Sequence, residues 1–202
     1  MNRTSSLGAL SLILLLAMYG CAGVGQDVQS GRNALQTGRS TDAVTFLARA
    51  AAQDPNYILS YRLNQGILTY LGRAYYETGQ DTEARATLEK ALAQDKDAHL
   101  ARLYLGLALM RSGERDLGAK ELQSGLQGVG NQIEYLAADS SSGLFWDPNG
   151  TIRSEIKAAL DQKAVSPEVI ASAQRIGQLV DREIDEARRN EFRMRYPNPD
   201  QN

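Results

Sequence analysis

Cysteine, histidine, proline and net charge are all scarce in this 202-residue chain. The one cysteine, Cys21, excludes an internal disulfide framework, and one cysteine with one histidine, His99, cannot make a conventional zinc site. Net charge is −2, or −3 after Cys21 because Arg3 is the only charge before it. Without a basic surplus the chain lacks the footprint of a phosphate-backbone binder, so no nucleic-acid role is expected. Five prolines set against frequent alanine and leucine lean towards a helical protein. Catalytic constellations are missing as well. Nothing places His99 beside Ser140, Ser141 or Ser142, the glycines of GVGNQ (128–132) follow no predicted strand, and paired carboxylates occur only in helix-surface runs. No enzyme activity, cofactor or metal is expected.

What is present begins at the N-terminus. A short polar start, MNRTSS, precedes an uncharged run from Leu7 to Gly20, 14 residues long. A bilayer-spanning helix needs about 20. The run fits the apolar core of a secretory signal, with an ordinary cleaved signal or a hydrophobic first helix as the alternatives. Gly20, Ala22 and Gly23 flank Cys21 with the slim side chains a peptidase requires. The pattern resembles a bacterial lipoprotein signal, although Met18 stands where leucine is usual and Tyr19 is bulky for its place. That resemblance implies a signal peptide over 1–20, a lipidated Cys21, and a tether over 21–26. Ala22, in place of aspartate, implies the outer membrane on its periplasmic side. A tether of about five residues reaches about 12 Å as a coil, which would hold the folded part close to the bilayer.

Internal repeats set the architecture. YLGRAYYETGQDTEARATLEKAL (70–92) aligns with YLGLALMRSGERDLGAKELQSGL (104–126) at a constant separation of 34 residues. GRNALQTGRSTDAVTFLARAAAQDP (31–55) keeps the same internal spacing, but seven residues are inserted before the next copy. Gly31, Gly72 and Gly106 would allow two helices to approach closely, with Leu47, Leu88 and Leu122 as the facing knobs. Gly38, Gly79 and Gly113 would end each first helix, where a left-handed residue is cheapest as glycine. Ser40 and Asp81 are expected to cap the second helices. This period and these residue types resemble the tetratricopeptide repeat. The fold expected is therefore all-α: a short solenoid of helix hairpins over 27–128, closed by C-terminal capping helices. In the inserted region, Tyr57, Tyr61, Leu68 and Tyr75 recur at helical spacing, which predicts a lengthened first helix in the second repeat. Its tyrosines are either core residues or partner contacts.

Past Gly128 the pattern changes. Residues 129–150 read as a loop segment, opening on a short helical turn at QIEYLAA (132–138) and then carrying LFWDP, with the chain's one tryptophan, Trp146, either buried as a staple or exposed as an anchor for a partner. Residues 151–195 predict two helices, and 196–202 a frayed tail. The second of those helices opens on Ser166 and Pro167 and carries the stripe Val169, Ala173, Ile176, Val180, Ile184. Its charged residues, with pairs such as Asp185–Arg189 and Glu191–Arg195, predict a solvated face. The first helix of the third repeat, rich in leucine from Leu100 to Leu109, needs covering, and the C-terminal helices are expected to cover it.

The resemblance also points to a recognition groove. Position by position it implies Arg32 and Gln36, then Thr69, Arg73, Tyr76 and Glu77, then Leu103, Leu107, Met110 and Arg111 as groove residues. These suit an extended peptide or amphipathic helix, while the lysines and asparagines of the carboxylate clamp for chaperone tails are absent. With three repeats the groove is shallow, and the C-terminal helices are candidates to fill it. The layout resembles the tetratricopeptide lipoproteins that serve pilus, secretion or outer-membrane assembly. The expected role is a lipid-anchored adaptor for an envelope protein; the alternative is a solute- or polymer-binding accessory protein with Trp146 as stacking platform.

Overall fold

The computed structural model describes residues 23–139, 143–162 and 164–196. The signal run, Cys21, Ser140 to Ser142 and the last six residues lie outside them. Three helix hairpins stack in chain order: α1 (Val24–Gln36) with α2 (Ser40–Gln53), α3 (Ile67–Glu77) with α4 (Asp81–Gln94), and α5 (His99–Arg111) with α6 (Arg115–Ala137). A 3₁₀ turn (Gly143–Phe145) leads to α7 (Thr151–Leu160), which packs between α6 and α8 (Pro167–Arg195). The eight α-helices among the described residues follow the expected all-α solenoid, and none of them is long and apolar enough to cross a membrane.

Each hairpin closes by the expected fit of a leucine into a glycine notch. A Cβ on Gly31 would stand 2.5 Å from Leu47 Cγ, and one on Gly72 would stand 2.4 Å from Leu88 Cγ. The third hairpin is tighter: a Cβ on Gly106 would meet the backbone nitrogen of Leu122 at 2.4 Å and the carbonyl oxygen of Gly118 at 2.8 Å. The turn glycines Gly38, Gly79 and Gly113 have φ of +73°, +79° and +93°, the left-handed region in which an L side chain is strained. Ser40 and Asp81 are not caps; they are the first helical residues, after Arg39 and Gln80. Their side chains face the neighbouring hairpin instead. Ser40 Oγ donates to Glu77 Oε2 at 2.7 Å, and Asp81 accepts from Arg111.

Three segments depart from expectation. The insertion does not lengthen α3. It forms a two-rung antiparallel ladder, β1 (Ile58–Leu59) with β2 (Gln65–Gly66), pairing Ile58 with Gly66 and Leu59 with Gln65. An Asp54 turn starts it: the Asn56 amide donates to Asp54 Oδ1, and Gly66 is extended at its end, so helical φ/ψ begins only at Ile67. The tyrosine spacing that imitated a helix comes from side chains held by different partners. Next, α6 does not stop at Gly128 but runs on through Gly130 to Ala137, 23 residues in all. Against its Gly128 lies the half-buried His99 ring. Finally, Trp146 is 1% exposed and stacks on Tyr61 with ring centroids 6.0 Å apart. It is a staple between the insertion and the C-terminal helices, and the exposed anchor is ruled out by that burial.

Behind Trp146, Asp147 takes over a capping role that Gly150 cannot perform. Its carboxylate accepts from the amides of Ile152 (2.9 Å) and Arg153 (3.0 Å), the open N–H groups at the start of α7. The α7 face Ile152, Ile156 and Ala159, and the α8 stripe Val169, Ala173, Ile176, Val180 and Ile184, join one core that extends from Val28 to Ala187.

Candidate functional site: a groove occupied by its own helix

The first helices α1, α3 and α5 line a concave face, and α8 lies in it. On α1, Arg32 is wholly buried. Its Nη1 donates to Asp185 Oδ1 and its Nη2 to Asp181 Oδ1, each at 3.0 Å. One hairpin along, Arg73 is 3% exposed and donates from Nη1 to Asp181 Oδ2 at 3.2 Å and from Nε to Glu77 Oε1 at 2.7 Å. Gln36 Nε2 donates to Asp185 Oδ2 at 2.8 Å. Two arginines on the solenoid thus share one aspartate on α8, with a second aspartate one turn later.

The rings of the groove frame these cations. The Arg32 guanidinium lies 5.3 Å from the Tyr70 ring centroid, Arg73 lies 5.6 Å from that of Tyr104, and Arg111 lies 4.0 Å from that of Tyr76. Burial pulls the Arg32 guanidinium down in pKa, but Tyr70, Asp181 and Asp185 outweigh it and the net direction is upward. Burial likewise opposes ionisation of Asp185, yet its bonds from Gln36 and Arg32 hold the carboxyl below its ordinary value. The network is charged on both sides in the folded protein.

All ten expected groove residues can now be located. Arg32, Gln36, Arg73 and Glu77 take part in the ionic network with α8 or support it. Thr69 is buried and borders a different cleft, with Ile58, Gly66 and Ala98. Leu103 belongs elsewhere: a Cβ on Gly125 would stand 2.5 Å from its backbone nitrogen, which places it between α5 and α6. The other four, Tyr76, Leu107, Met110 and Arg111, line a cleft of about 660 Å³ that α8 leaves open. Its far walls are Ala119 and Gln123 of α6 with Val165, Pro167, Ile170 and Gln174. Gln174 closes one end by donating to the Tyr76 hydroxyl at 2.6 Å.

Sequence reasoning missed the α8 half of the site. Gly177, Asp181 and Asp185 form a line at spacing four, and Gly177 lies so close to Tyr104 that a Cβ would stand 2.2 Å from its hydroxyl oxygen. A helical glycine in register with two aspartates signals a face pressed on an arginine-bearing surface. Read alone as i,i+4 pairs, the same acids predicted a solvated face, which the buried Asp181 and Asp185 contradict. Asp185 meets Arg188 at 3.5 Å and Arg32 at 3.0 Å, while Glu191 meets Arg195 at 3.6 Å and also accepts from Tyr61 (2.7 Å) and Arg62 (2.8 Å).

No cluster of three or more histidine, cysteine, aspartate or glutamate side chains able to hold a metal occurs among the described residues. Neither the curated proteins nor the solved structures contain a match to the chain. Residues 34–107 match the model of one family, described as tetratricopeptide repeat. That span runs from the end of α1 to the middle of α5, the stretch in which the glycine notch and the turn glycine recur. Over that stretch the hairpins are similar to tetratricopeptide repeats, and the chain folds as an all-α solenoid whose groove is largely filled by its own C-terminal helix.

Proposed function

We propose that the protein is a lipid-anchored adaptor on the periplasmic side of a bacterial outer membrane, binding an envelope protein in assembly, secretion or pilus biogenesis. The repeats support a protein partner. The N-terminal run and the small residues around Cys21 support the anchor. The observation that carries the binding role is the open cleft beside α5. It combines apolar walls at Leu107, Met110 and Ile170 with Arg111, Arg115 and Asp116 at its edge, a mixture suited to an apolar side chain or short helix with polar flanks.

A photo-crosslinking side chain placed at Met110 in cells should capture one envelope protein in stoichiometric yield, while the same group at exposed Glu83 on α4 should not. Equal, diffuse labelling from both positions would refute the cleft as the docking site. For the anchor, labelled palmitate should enter the wild-type chain and not a Cys21→Ser variant; no incorporation into wild type would sink the lipoprotein reading.

A second reading follows from the cleft's volume, which lies within the roughly 300–1,000 Å³ of small-molecule sites. In that case a solute or polymer occupies it. The covered Trp146 offers no stacking platform, so Tyr76 at the cleft wall would supply the ring. Protection of a Met110→Cys thiol by glycans or solutes, with no protein crosslink, would favour this reading.

A further inference from the structure

Seven large apolar side chains are well exposed among the described residues, and six of them lie on segments that converge on the insertion. Ile58 is within it. Tyr135 and Leu144 flank Asp139, which accepts from Arg62 at 3.0 Å. Phe192, Met194 and Tyr196 follow Glu191, which accepts from both Tyr61 and Arg62. Single exposed apolar residues are ordinary on any surface, but their concentration at one end of a molecule calls for a cover.

The charge on that end indicates which cover. Arg188, Arg189, Arg193 and Arg195 are all exposed, and the one acid among them, Glu191, is engaged by the insertion. The eight residues from 188 to 195 therefore carry +3 on a chain whose net charge is −2. Phe192 and Tyr196 are 63% and 67% exposed and lie on one side of α8, ring centroids 4.9 Å apart, with arginines between them in sequence. A cationic helix end with aromatic rings is the composition that partitions into the interface of an anionic bilayer, apolar groups at the acyl boundary and guanidinium groups among headgroup phosphates. The start of the fold lies on the same insertion: a Cβ on Gly25 would stand 3.2 Å from the Tyr57 hydroxyl.

We infer that this end of the molecule, formed by the last two turns of α8 and the insertion beside them, docks on an anionic phospholipid bilayer. The inference extends the membrane-anchored reading but does not need the lipid. Its test uses the chain from residue 22 onward, which contains the whole core from Val28 to Ala187 and no Cys21. The probes are vesicles of phosphatidylethanolamine with phosphatidylglycerol, and vesicles of phosphatidylcholine alone. The chain should sediment with the first and not the second. Each arginine near such a surface contributes about 1 kcal/mol, about fivefold in partition, so Arg193→Gln with Arg195→Gln should lower binding about 25-fold. Phe192→Ser with Tyr196→Ser should also release it. All four positions are exposed and lie beyond the buried stripe, so unchanged Trp146 emission verifies that the fold is retained. Equal partition into both vesicle types, no partition into either, or binding unaffected by the arginine variant would each overturn the inference. Palmitate incorporation at Cys21 is a separate readout, so either idea can fail while the other stands.

Discussion

Replacing Asp181 by alanine should be among the most damaging single changes to this fold outside its apolar core. Its carboxylate accepts from Arg32 and Arg73, whose side chains are 0% and 3% exposed. Each hydrogen bond to a charged group contributes about 1.5–3 kcal/mol, and breaking a buried pair by deleting one partner costs about 3–5 kcal/mol because the other charge stays buried. Two cations lose a partner here, but each retains another: Asp185 still accepts from Arg32 Nη1, and Glu77 from Arg73 Nε. The expected loss is therefore at the lower end, about 3 kcal/mol. Against a typical domain stability of about 5–15 kcal/mol the variant still folds and can be measured. Urea unfolding followed by far-ultraviolet circular dichroism gives the value. A buried network is poorly screened, so added salt should change the loss little. The companion triple variant Arg32→Met with Asp181→Leu and Asp185→Leu removes Arg32 together with both of its carboxylates, leaves Arg73 paired with Glu77, and should recover part of the loss. A cost below about 1 kcal/mol for Asp181→Ala, or a triple variant as unstable as the single one, would show that the network is solvated and the reasoning wrong.

Three further outcomes test other parts of the structure. Gly106→Ala should destabilise by about 1–3 kcal/mol despite the gain in helix propensity, because its Cβ would strike the backbone of α6. Gly72→Ala, which meets only the Leu88 side chain, should cost less, and the reverse order in thermal melts would contradict the backbone-contact account. Burial holds the His99 imidazole below its ordinary pKa of 6.5, so the folded state disfavours its protonation. Its contribution is complete above about pH 6.5 and declines as pH falls through the folded value. Wild type should lose stability relative to His99→Leu between pH 8 and pH 5; the comparison cancels Glu183, whose carboxyl burial shifts upward. A parallel pH dependence in both proteins would refute it. Asp147→Ala leaves the first amides of α7 unsatisfied and should cost about 1–2 kcal/mol, with a red shift of the neighbouring Trp146 emission before global unfolding. An unmoved emission band would show that α7 starts independently of Asp147.

How much of this was legible beforehand depended on whether a residue's partner lay nearby in sequence. The hairpins were legible because Gly31 and Leu47, or Gly72 and Leu88, repeat their spacing within one unit, and the notch each pair forms is a local matter of helix geometry. Ser40 and Asp81 were misread because their partners, Glu77 and Arg111, belong to the next hairpin, where no local capping rule reaches. The insertion misled for a related reason. Tyr57 and Tyr61 keep helical spacing, but Tyr61 is positioned by Trp146 and Glu191, 85 and 130 residues away. Of the site, the groove wall could be located through the repeat register. Its occupant could not, since Asp181 and Asp185 have the composition of a solvated helix face until Arg32 and Arg73 are set opposite them.

A helix 29 residues long is a rod of about 43 Å, and α8 is tied along its length to Tyr76 through Gln174, to Arg32 and Arg73 through Asp181, and to the insertion through Glu191. Open repeat arrays bend like springs and can unravel from either end, one unit at a time, because each unit holds only its neighbours. Here a rigid chord is fastened across the arc. It fixes the curvature of the three hairpins and joins their fates, so that the first hairpin cannot come loose without releasing the rod that also braces the third. The rod also sets the count: a fourth hairpin would lie past its end, and the solenoid could grow only if α8 lengthened with it.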